Sequence, residues 1–414
     1  MEYVKFAFRN LKRHYSRTVV TIFTISLGFV ALGILGGVVT NIFSRLKGQA
    51  IVVEKLGHIT IAKKGFFDNH KIHPENYIFT KNELNEVLKI LEEFPEIRIA
   101  TPRLSIFGMA NNGISNTIFL SEAIEPLADS ILQTTVIDGR SKTRGATTIS
   151  NTQDNLVAIG SELANNLNLK IGDNLTLFTN TIDGMANAVD VEIEKIYNTG
   201  NPATNDKFIL TNLKLIQELY DTNGADRIVL LLEDETKIQS IKTALIPLLQ
   251  SKGIEIEAKP WDELSLFYSR VTKMFGIIFR VLTIIISVVV LLTLLNTMQM
   301  SVNERTREIG TLRAVGMTKS KIIKVFVIEA VIISLLGALF AMPLLYLVKF
   351  ILDNMNITFI PPVGSAPVPI TLIFKVKNIL LVAGLFSLAS IISSYLASRK
   401  IAGQQIIQSL LKFN

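Results

Sequence analysis

The sequence predicts an α-helical membrane protein with four transmembrane helices plus a large α+β extracytoplasmic (periplasmic) domain. Two observations support this prediction: four apolar segments long enough to cross a bilayer, and a long polar stretch, residues 44–273, between the first two of them. Composition agrees, because 49% of the 414 residues are apolar and only 19% are charged, below the roughly 25% typical of soluble domains.

The four apolar segments set the membrane part of the chain. A hydrocarbon core of roughly 30 Å requires about 20 apolar residues in a helix. The segments that meet this length are 18–43, 274–300, 322–348 and 379–398. The first has no charge and no small-residue cleavage site after it, so we expect an uncleaved anchor and not a signal peptide.

Basic residues near the span ends predict the orientation. Lysines and arginines are concentrated in an amphipathic N-terminus (1–17), in the connection 301–321 and in the tail 399–414, which we therefore expect on the cytoplasmic side. Residues 44–273 and a short Pro-rich loop, 349–378, are expected on the periplasmic side of the cell (inner) membrane. The net charge of +7 then reflects topology, and nucleic acid is not an expected partner.

Four residues within the spans have predicted packing or polar roles. Gly33 and Gly37 have the G-x-x-x-G spacing that lets helices approach closely. Arg280 lies near the outer end of the second span, where its long side chain can reach the headgroups. Glu329 lies near the inner end of the third span, and we expect either partial solvation or a salt bridge to a neighbouring subunit.

Residues 44–273 mix strand and helix patterns and are long enough to bury a core. Thr80 and Glu83 have the spacing of a capping box, and Ser161 is expected to cap a second helix. Asp183-Gly184 predicts a hairpin turn. The mixture predicts one α+β domain, or two α+β lobes of which one is inserted into the other.

Residues suited to catalysis are few. Asp68, His70, His73 and Glu75 carry groups that suit zinc or manganese, but Pro74 makes the stretch a loop, so an exposed polar loop is preferred to a metal site. We therefore predict no catalytic residue, no metal site and no enzyme activity in this chain. The phosphate-binding pattern G-x-x-x-x-G-K-[ST] is absent, so ATP and magnesium would be bound by a partner ATPase and no cofactor is expected here.

The segment between the second and third spans, "SVNERTREIGTLRAVGMTKSK", contains the strongest functional pattern. Acidic residues stand near its start, where a helix dipole favours anions, and Arg313 stands near its end. Ile309 and Leu312 form a narrow apolar stripe at helical spacing, and Gly316 can adopt the left-handed conformation that ends a helix. A short helix is therefore predicted, although a solvated loop with capped ends fits these features equally well.

The same segment, continued through "IIKVFVIEAVIISLLGALFAMPL", closely resembles the permease subunits of the MacB, LolC/LolE and FtsX superfamily of ABC transporters. In that superfamily E-R-x-x-E-I-G-x-L-R-A-x-G is a frequent signature after the second span. The stretches "FAFRNLKRHYSRTVVTIFTISLG" and "VAIGSELANNLNLKIGDNLTL" resemble it as well. Within the superfamily, "IGSELANNLNLKIGD" is most similar to the lipoprotein-releasing LolC/LolE-type permeases.

The resemblance implies a permease subunit that couples ATP hydrolysis by a cytoplasmic ABC ATPase dimer to periplasmic-side extrusion of lipoprotein or another amphiphilic cargo by mechanotransmission. It also implies a second permease copy or paralogue and allows a periplasmic carrier or adaptor. Charged residues of the motif would contact the ATPase rim, and Ile309 and Leu312 would fill its groove. The residues to which the resemblance gives this coupling role are Glu304, Arg305, Arg307, Glu308, Ile309, Gly310, Leu312, Arg313 and Gly316.

A hairpin at Asp183, Gly184 and Met185 occupies the position of the hook in the carrier-binding subunit of the lipoprotein-releasing group. The hook of that group contains a proline and this hairpin does not, which leaves carrier binding open. Two alternative functions also stay open: an FtsX-like transmembrane regulator of a cell-wall hydrolase, and a MacB-like efflux permease.

Overall fold

The computed structural model describes residues 9, 11, 15–70, 73–135, 147–150, 153–355, 357–359, 368–369 and 371–402. The chain divides into two compact units. We call them the membrane unit (Met1–Ile42, Lys273–Thr358 and Pro369–Asn414) and the α+β unit (Phe43–Thr272 and Phe359–Val368). Most of the predicted N-terminus 1–17, the Pro-rich centre of the loop 349–378 and most of the tail 399–414 lie outside the described residues.

The elements follow in chain order. The α-helices are α1 Tyr15–Gly48, α2 Phe66–Asn69, α3 Lys81–Glu92, α4 Pro126–Gln133, α5 Ser161–Asn166, α6 Pro202–Asn205, α7 Leu213–Tyr220, α8 Ile238–Ser251, α9 Trp261–Leu264, α10 Leu266–Glu304, α11 Thr306–Ala314, α12 Lys319–Met355 and α13 Val376–Ala402. The strands are β1 Ile59–Lys63, β2 Ile97–Asn111, β3 Asn116–Ile124, β4 Leu156–Gly160, β5 Asn174–Asn180, β6 Ala186–Tyr197, β7 Phe208–Asn212, β8 Arg227–Leu232, β9 Ile256–Pro260, β10 Thr358–Phe359 and β11 Val368–Pro369.

Among the described residues, four helical segments are long and apolar enough to cross a membrane: Thr18–Val53, Leu266–Glu304, Lys319–Met355 and Val376–Arg399. The first continues past the predicted end of its span at residue 43, through the end of α1 and a π-helical turn at Gln49–Val53. Hydropathy falls where polar residues begin, but helical hydrogen bonding does not need apolar side chains. Arg45 and Lys47 even favour the helix there, because they lie in its last turn, where the dipole attracts cations.

Helix α1 packs closely on α12 within the membrane unit. A methyl group added at Gly33 would lie 2.7 Å from a Leu345 methyl carbon, whereas one added at Gly36 would meet no atom within 4 Å. Ser26 donates a hydrogen bond of 2.9 Å to the Gly337 carbonyl on α12. The small residues thus let two helices of the same chain approach each other. Gly37 faces the segment before α13, since its added methyl would lie 3.1 Å from the Phe374 ring.

We predict that Gly33→Ile destabilises the membrane unit by about 1–3 kcal/mol, the usual effect of overpacking a filled site. The added side chain has to displace Leu345. Thermal unfolding of the full chain in detergent should show a lower midpoint for this variant. Gly36→Ile on the same helix is the control and should leave the midpoint unchanged, because that position faces open space; equal losses from both variants would contradict the assigned packing.

The α+β unit is built on a nine-stranded sheet with the order β3-β7-β4-β6-β5-β2-β8-β1-β9. The sheet has two regions, one around β8, β1 and β9 and one around β3 to β7, and the long strand β2 belongs to both. Residues 97–103 of β2 pair with β8, and residues 104–111 pair with β3. The strand therefore passes from one sheet region into the other without a break in the chain.

Two separate cores lie on the two parts of this sheet. In the first lobe, α3 and α8 pack on β1, β8 and β9 through buried residues such as Val87, Leu245 and Ile228. In the inserted lobe, α5 and α7 pack on the strands β2 to β7 through residues such as Leu163 and Ile216. The chain leaves the first lobe along β2 and returns at β8, so the arrangement agrees with the predicted insertion of one lobe into the other.

Two of the predicted local signals are confirmed. Thr80 and Glu83 form a complete capping box at the start of α3. Gly184 has a φ of 83° in the turn that joins β5 and β6, which pair as an antiparallel hairpin. The left-handed conformation at Gly184 is the one the Asp183-Gly184 pattern predicts.

The predicted cap at Ser161 is wrong. The residue before α5 is Gly160, and Ser161 is the first residue of the helix. The Ser161 hydroxyl instead accepts a hydrogen bond of 3.0 Å from the Asn205 side-chain amide. A methyl group at position 160 would lie 2.2 Å from the Asn205 carbonyl oxygen, so only glycine allows the end of α6 to approach the start of α5.

The histidines considered as metal ligands bind other groups. A ring nitrogen of His70 lies 2.7 Å from the Phe66 carbonyl oxygen, and the ring stacks on Phe66. The Nδ1 atom of His73 lies 3.1 Å from a Glu75 carboxylate oxygen. Within the part of the chain that the structure describes, no three acidic, histidine or cysteine side chains are grouped to hold a metal ion.

A buried ionic cluster lies at the junction of the two lobes. Asp129 on α4 accepts a hydrogen bond of 2.6 Å from the Lys55 ammonium group and one of 3.1 Å from the Arg103 guanidinium. The three side chains are at most 3% exposed. Burial by itself raises the pKa of Asp129, but the two cations lower it below the ordinary aspartate value.

We predict that Asp129→Ala destabilises the α+β unit by about 3–5 kcal/mol, because it leaves two buried cations without their counter-ion. Thermal unfolding and protease resistance of the full chain would measure the loss. The matched control is Glu255→Ala, which breaks a pair with Lys64 whose side chains are 61% and 69% exposed. That pair should contribute less than about 1 kcal/mol, so similar losses from both variants would contradict this account of the cluster.

Candidate functional site

The connection between α10 and α12 forms a short helical elbow, which we define as residues 305–318. Helix α10 ends at Glu304, and Arg305 interrupts it with φ −94° and ψ 12°. Helix α11 follows directly, and α12 begins at Lys319. The predicted short helix is therefore present between the second and third apolar helices.

Gly316 ends α11 as its pattern predicts. Its φ of 98° is left-handed, and the Met317 amide donates a hydrogen bond of 3.0 Å to the Leu312 carbonyl. The Gly316 amide donates a second bond, of 3.1 Å, to the Arg313 carbonyl. These two bonds are those of a Schellman motif, which satisfies the last carbonyls of a helix and turns the chain sharply.

Helix α11 and its flanks present two different faces. The exposed face contains residues at helical spacing, among which Val315 is 84% exposed. We call it the outer face, and its residues are Glu304, Arg307, Glu308, Thr311, Ala314 and Val315. The opposite face contains Thr306, Ile309 and Gly310 and is buried.

The buried face corrects part of the predicted coupling set. Ile309 is 2% exposed and belongs to the core of the membrane unit together with Ile322 and Phe326 of α12. It therefore cannot fill a groove of another protein, and Gly310 is buried beside it. Leu312 and Arg313 are half-buried. The apolar stripe exists as predicted, but this chain's own third apolar helix covers it.

Arg305 also points inward, towards Glu329 on α12. The guanidinium Nη1 atom donates a hydrogen bond of 3.0 Å to a Glu329 carboxylate oxygen, and the two side chains are 4% and 7% exposed. The Arg305 guanidinium carbon lies 5.9 Å from the centre of the Phe326 ring. Glu329 therefore has a buried partner in its own chain, which differs from the expected partial solvation or salt bridge to a neighbouring subunit.

The remaining predicted residues lie in other places. Arg280 is exposed on α10, and its Nε atom donates a hydrogen bond of 3.0 Å to the Gly276 carbonyl one turn earlier. Asp183 and Gly184 form the tip of the β5–β6 hairpin, where Met185 is 66% exposed. Their predicted role as a hook stays a prediction.

One exposed apolar surface escaped the sequence analysis. Met109 on β2 pairs with Ile118 on β3 and with Phe178 on β5, so all three side chains share one face of the sheet with Phe107. These four side chains are between 43% and 66% exposed. We call them the apolar sheet face. The signal for it was the unbroken apolar run "IFGMA", in which both faces of the strand are apolar.

Comparisons with known protein families indicate a membrane permease. A family model for the FtsX-like permease C-terminal region matches residues 280–406, and one for the MacB-like periplasmic core domain matches residues 18–248. The second match covers more than half of the chain. The chain therefore belongs to the MacB/FtsX family of ABC transporter permeases. These matches do not extend to the LolC/LolE pattern that the sequence suggested.

Individual relatives share shorter regions with this chain. The macrolide export ATP-binding/permease protein MacB of Escherichia coli O157:H7 is 38% identical over 105 residues, which are 25% of this chain and 16% of that protein. Its counterpart in Shigella flexneri is 38% identical over 100 residues, or 23% of this chain and 15% of that protein. The match thus spans about a sixth of the length of these curated relatives.

Two solved structures resemble the chain over about half of its length. One is the extracellular domain of the noncanonic ABC-type transporter YknZ from Gram-positive bacteria, with 15% sequence identity and a TM-score of 0.34. The alignment covers 49% of this chain and 100% of the solved domain. The periplasmic region of MacB from Actinobacillus actinomycetemcomitans is 11% identical, with a TM-score of 0.35, and covers 51% of this chain and 92% of that one.

We predict that single cysteines will report the two faces of α11 in this chain, which has no native cysteine. A maleimide reagent should label Val315→Cys rapidly and Ile309→Cys roughly tenfold or more slowly, because each factor of ten requires only about 1.4 kcal/mol of local opening. Thr311→Cys on the outer face is the control and should react like the first variant. Equal rates at positions 309 and 315 would show that the stripe is not covered by α12.

Proposed function

We propose that this chain is the permease component of a MacB-like ABC exporter. The outer face of the elbow carries the proposal, because it is a short, exposed, charge-bearing helix held between two apolar helices. Such a helix can bind a partner and transmit its displacement to the spans without unfolding. In this proposal the elbow and both chain ends are cytoplasmic, and the α+β unit lies on the periplasmic side of the inner membrane.

The energy source in this proposal is ATP hydrolysed by an ABC ATPase dimer that docks on the elbow. The 414 residues contain no G-x-x-x-x-G-K-[ST] pattern, so the nucleotide and its magnesium ion are bound outside this stretch of sequence. The curated MacB relatives are named ATP-binding/permease proteins, which supports a functional link between this type of permease and an ATPase. A second permease copy or paralogue completes the assembly.

The docking surface differs from the one that the motif suggested. Arg305, Ile309 and Gly310 are buried, so they support the elbow from within and do not touch the ATPase. Contact with the ATPase falls to the outer face, with charges at Glu304, Arg307 and Glu308 and an apolar residue at Val315. Leu312 and Arg313 lie at its margin because they are half-buried.

Export of an amphiphilic cargo is the transport activity that we propose. The curated relatives are named for macrolide export, which supports a small amphiphile ahead of a lipoprotein. The apolar sheet face is consistent with a cargo of this kind, because grouped exposed apolar side chains mark places where other molecules bind. Lipoprotein release, with or without a periplasmic carrier, stays a prediction.

We predict that Val315→Asp and Glu308→Lys weaken the complex with the ABC ATPase at least about tenfold, or 1.4 kcal/mol, by placing an unfavourable charge in the interface. Co-purification and titration of ATPase stimulation by the full-length permease would measure the effect. Ile114→Asp in the α+β unit is the matched control, since Ile114 is 93% exposed. It should bind and stimulate the ATPase normally.

Normal complex formation by both elbow variants would contradict the docking surface. If the complex is lost and cell-wall hydrolysis changes while export does not, the FtsX-like regulatory function is favoured instead. A change in export would support the exporter, and a change in cell-wall hydrolysis would support the regulator. Complex formation tests the docking surface whichever of the two functions is correct.

A further inference from the structure

The ion pair between Arg305 and Glu329 lies where three helices of the membrane unit meet. Arg305 occupies the interruption between α10 and α11, and Glu329 lies on α12 ten residues after its first residue. A small cavity of about 20 Å³ adjoins the pair. The polar residues that line it come from α1 and α10 as well as from α12: Thr18, Thr21, Thr297, Ser301, Arg305 and Glu329.

Stability alone does not explain why two charges are buried here. Removing a carboxylate and a guanidinium from water is costly, and well-packed apolar residues of similar size often stabilise a protein as much or more. A guanidinium–carboxylate pair differs from an apolar contact in that it is directional. It therefore fixes the position of the residue that carries it more narrowly than an apolar side chain could.

The other contacts between the elbow and α12 are mostly apolar. A second cavity, of about 30 Å³, lies between them. It is lined by Arg305, Glu308, Ile309, Leu312, Met317, Ile322, Val325 and Phe326. Side chains beside a void lose part of their packing energy on that side. The ion pair is thus a directional contact beside this cavity, in an interface that is otherwise mostly apolar.

We propose that Arg305 and Glu329 are positioning residues that lock the elbow to α12, so that a displacement of α11 moves the third apolar helix. The proposal rests on the proposed function and deepens it, because it separates binding of the ATPase from transmission of its movement. The outer face binds the ATPase, and the inward pair passes the movement on. Neither residue contacts the ATPase itself.

The first test measures the position of the elbow without any partner. Spin labels at Thr311→Cys on α11 and Lys324→Cys on α12, both exposed positions, would report their distance in the full chain in nanodiscs. We expect a narrow distance distribution for the parent and a clearly broader one for Glu329→Gln. A distribution unchanged in Glu329→Gln would overturn the proposal.

The second test separates positioning from stability. In the double variant Arg305→Met/Glu329→Met, apolar side chains replace both charges, so the melting temperature should stay near that of the parent. We nevertheless expect a broad distance distribution and ATPase stimulation about tenfold lower, with ATPase affinity within about twofold of the parent. A double variant that keeps the narrow distribution and full stimulation would show that the pair only fills space, and the proposal would fail.

Asp353→Asn is the control on the same helix, because Asp353 forms a half-exposed pair with Lys349. This variant should change neither the distance distribution nor the ATPase stimulation. If Glu329→Gln does not fold, Arg305→Lys replaces it, since lysine keeps the charge but lacks the fixed N–H directions of the guanidinium and should also broaden the distribution. If the parent fails to bind or stimulate any ABC ATPase, the proposed function is wrong, while the distance measurements still decide whether the pair positions the elbow.

Discussion

The interruption of the helix at Arg305 is the constraint on which the elbow depends. Where a helix breaks, backbone groups and side chains lose their regular partners and need others. Here the side chain at the break turns inward to Glu329, and Gly316 closes the other end of α11 by a left-handed turn. One end of the elbow is thus held by a side-chain ion pair and the other by backbone geometry, which leaves the outer face available for contacts.

The α+β unit uses a related device. Lys55 follows the π-helical turn Gln49–Val53 and has a φ of 60°, a strained value for a residue with a side chain. Its ammonium group reaches Asp129, which also binds Arg103 of the shared strand β2. The strained turn, the helix α4 and the strand common to both lobes are therefore tied to one carboxylate. Both units place a buried cation at a helical irregularity or within two residues of it, and pair it with an acidic residue from another part of the chain.

Most of the predicted local features are present in the structure, although the cap at Ser161 is not. The long-range partners of individual side chains could not be predicted. The capping box at Thr80, the turn at Gly184 and the cap at Gly316 depend on neighbours within a few residues, so the sequence pattern contains all that is needed. The stripe at Ile309 shows only that something apolar covers it, and the sequence cannot say whether this is another protein or α12. The pairing of Arg305 with Glu329 depends on how two helices cross, and the contact between Gly160 and Asn205 depends on how α6 packs against the start of α5.

The coupling motif itself contains two interleaved sets of residues. Positions four apart lie on one side of a helix, while adjacent positions are rotated by about 100°. Glu304 and Glu308 therefore point outward together, and Arg305 and Ile309 point inward together. One short run of residues thus contains both the exposed outer face and the buried residues that hold this face on α12. Adjacent residues of the motif lie on different faces of the helix, one exposed and one buried. Resemblance to the motif therefore does not assign a role to any single residue.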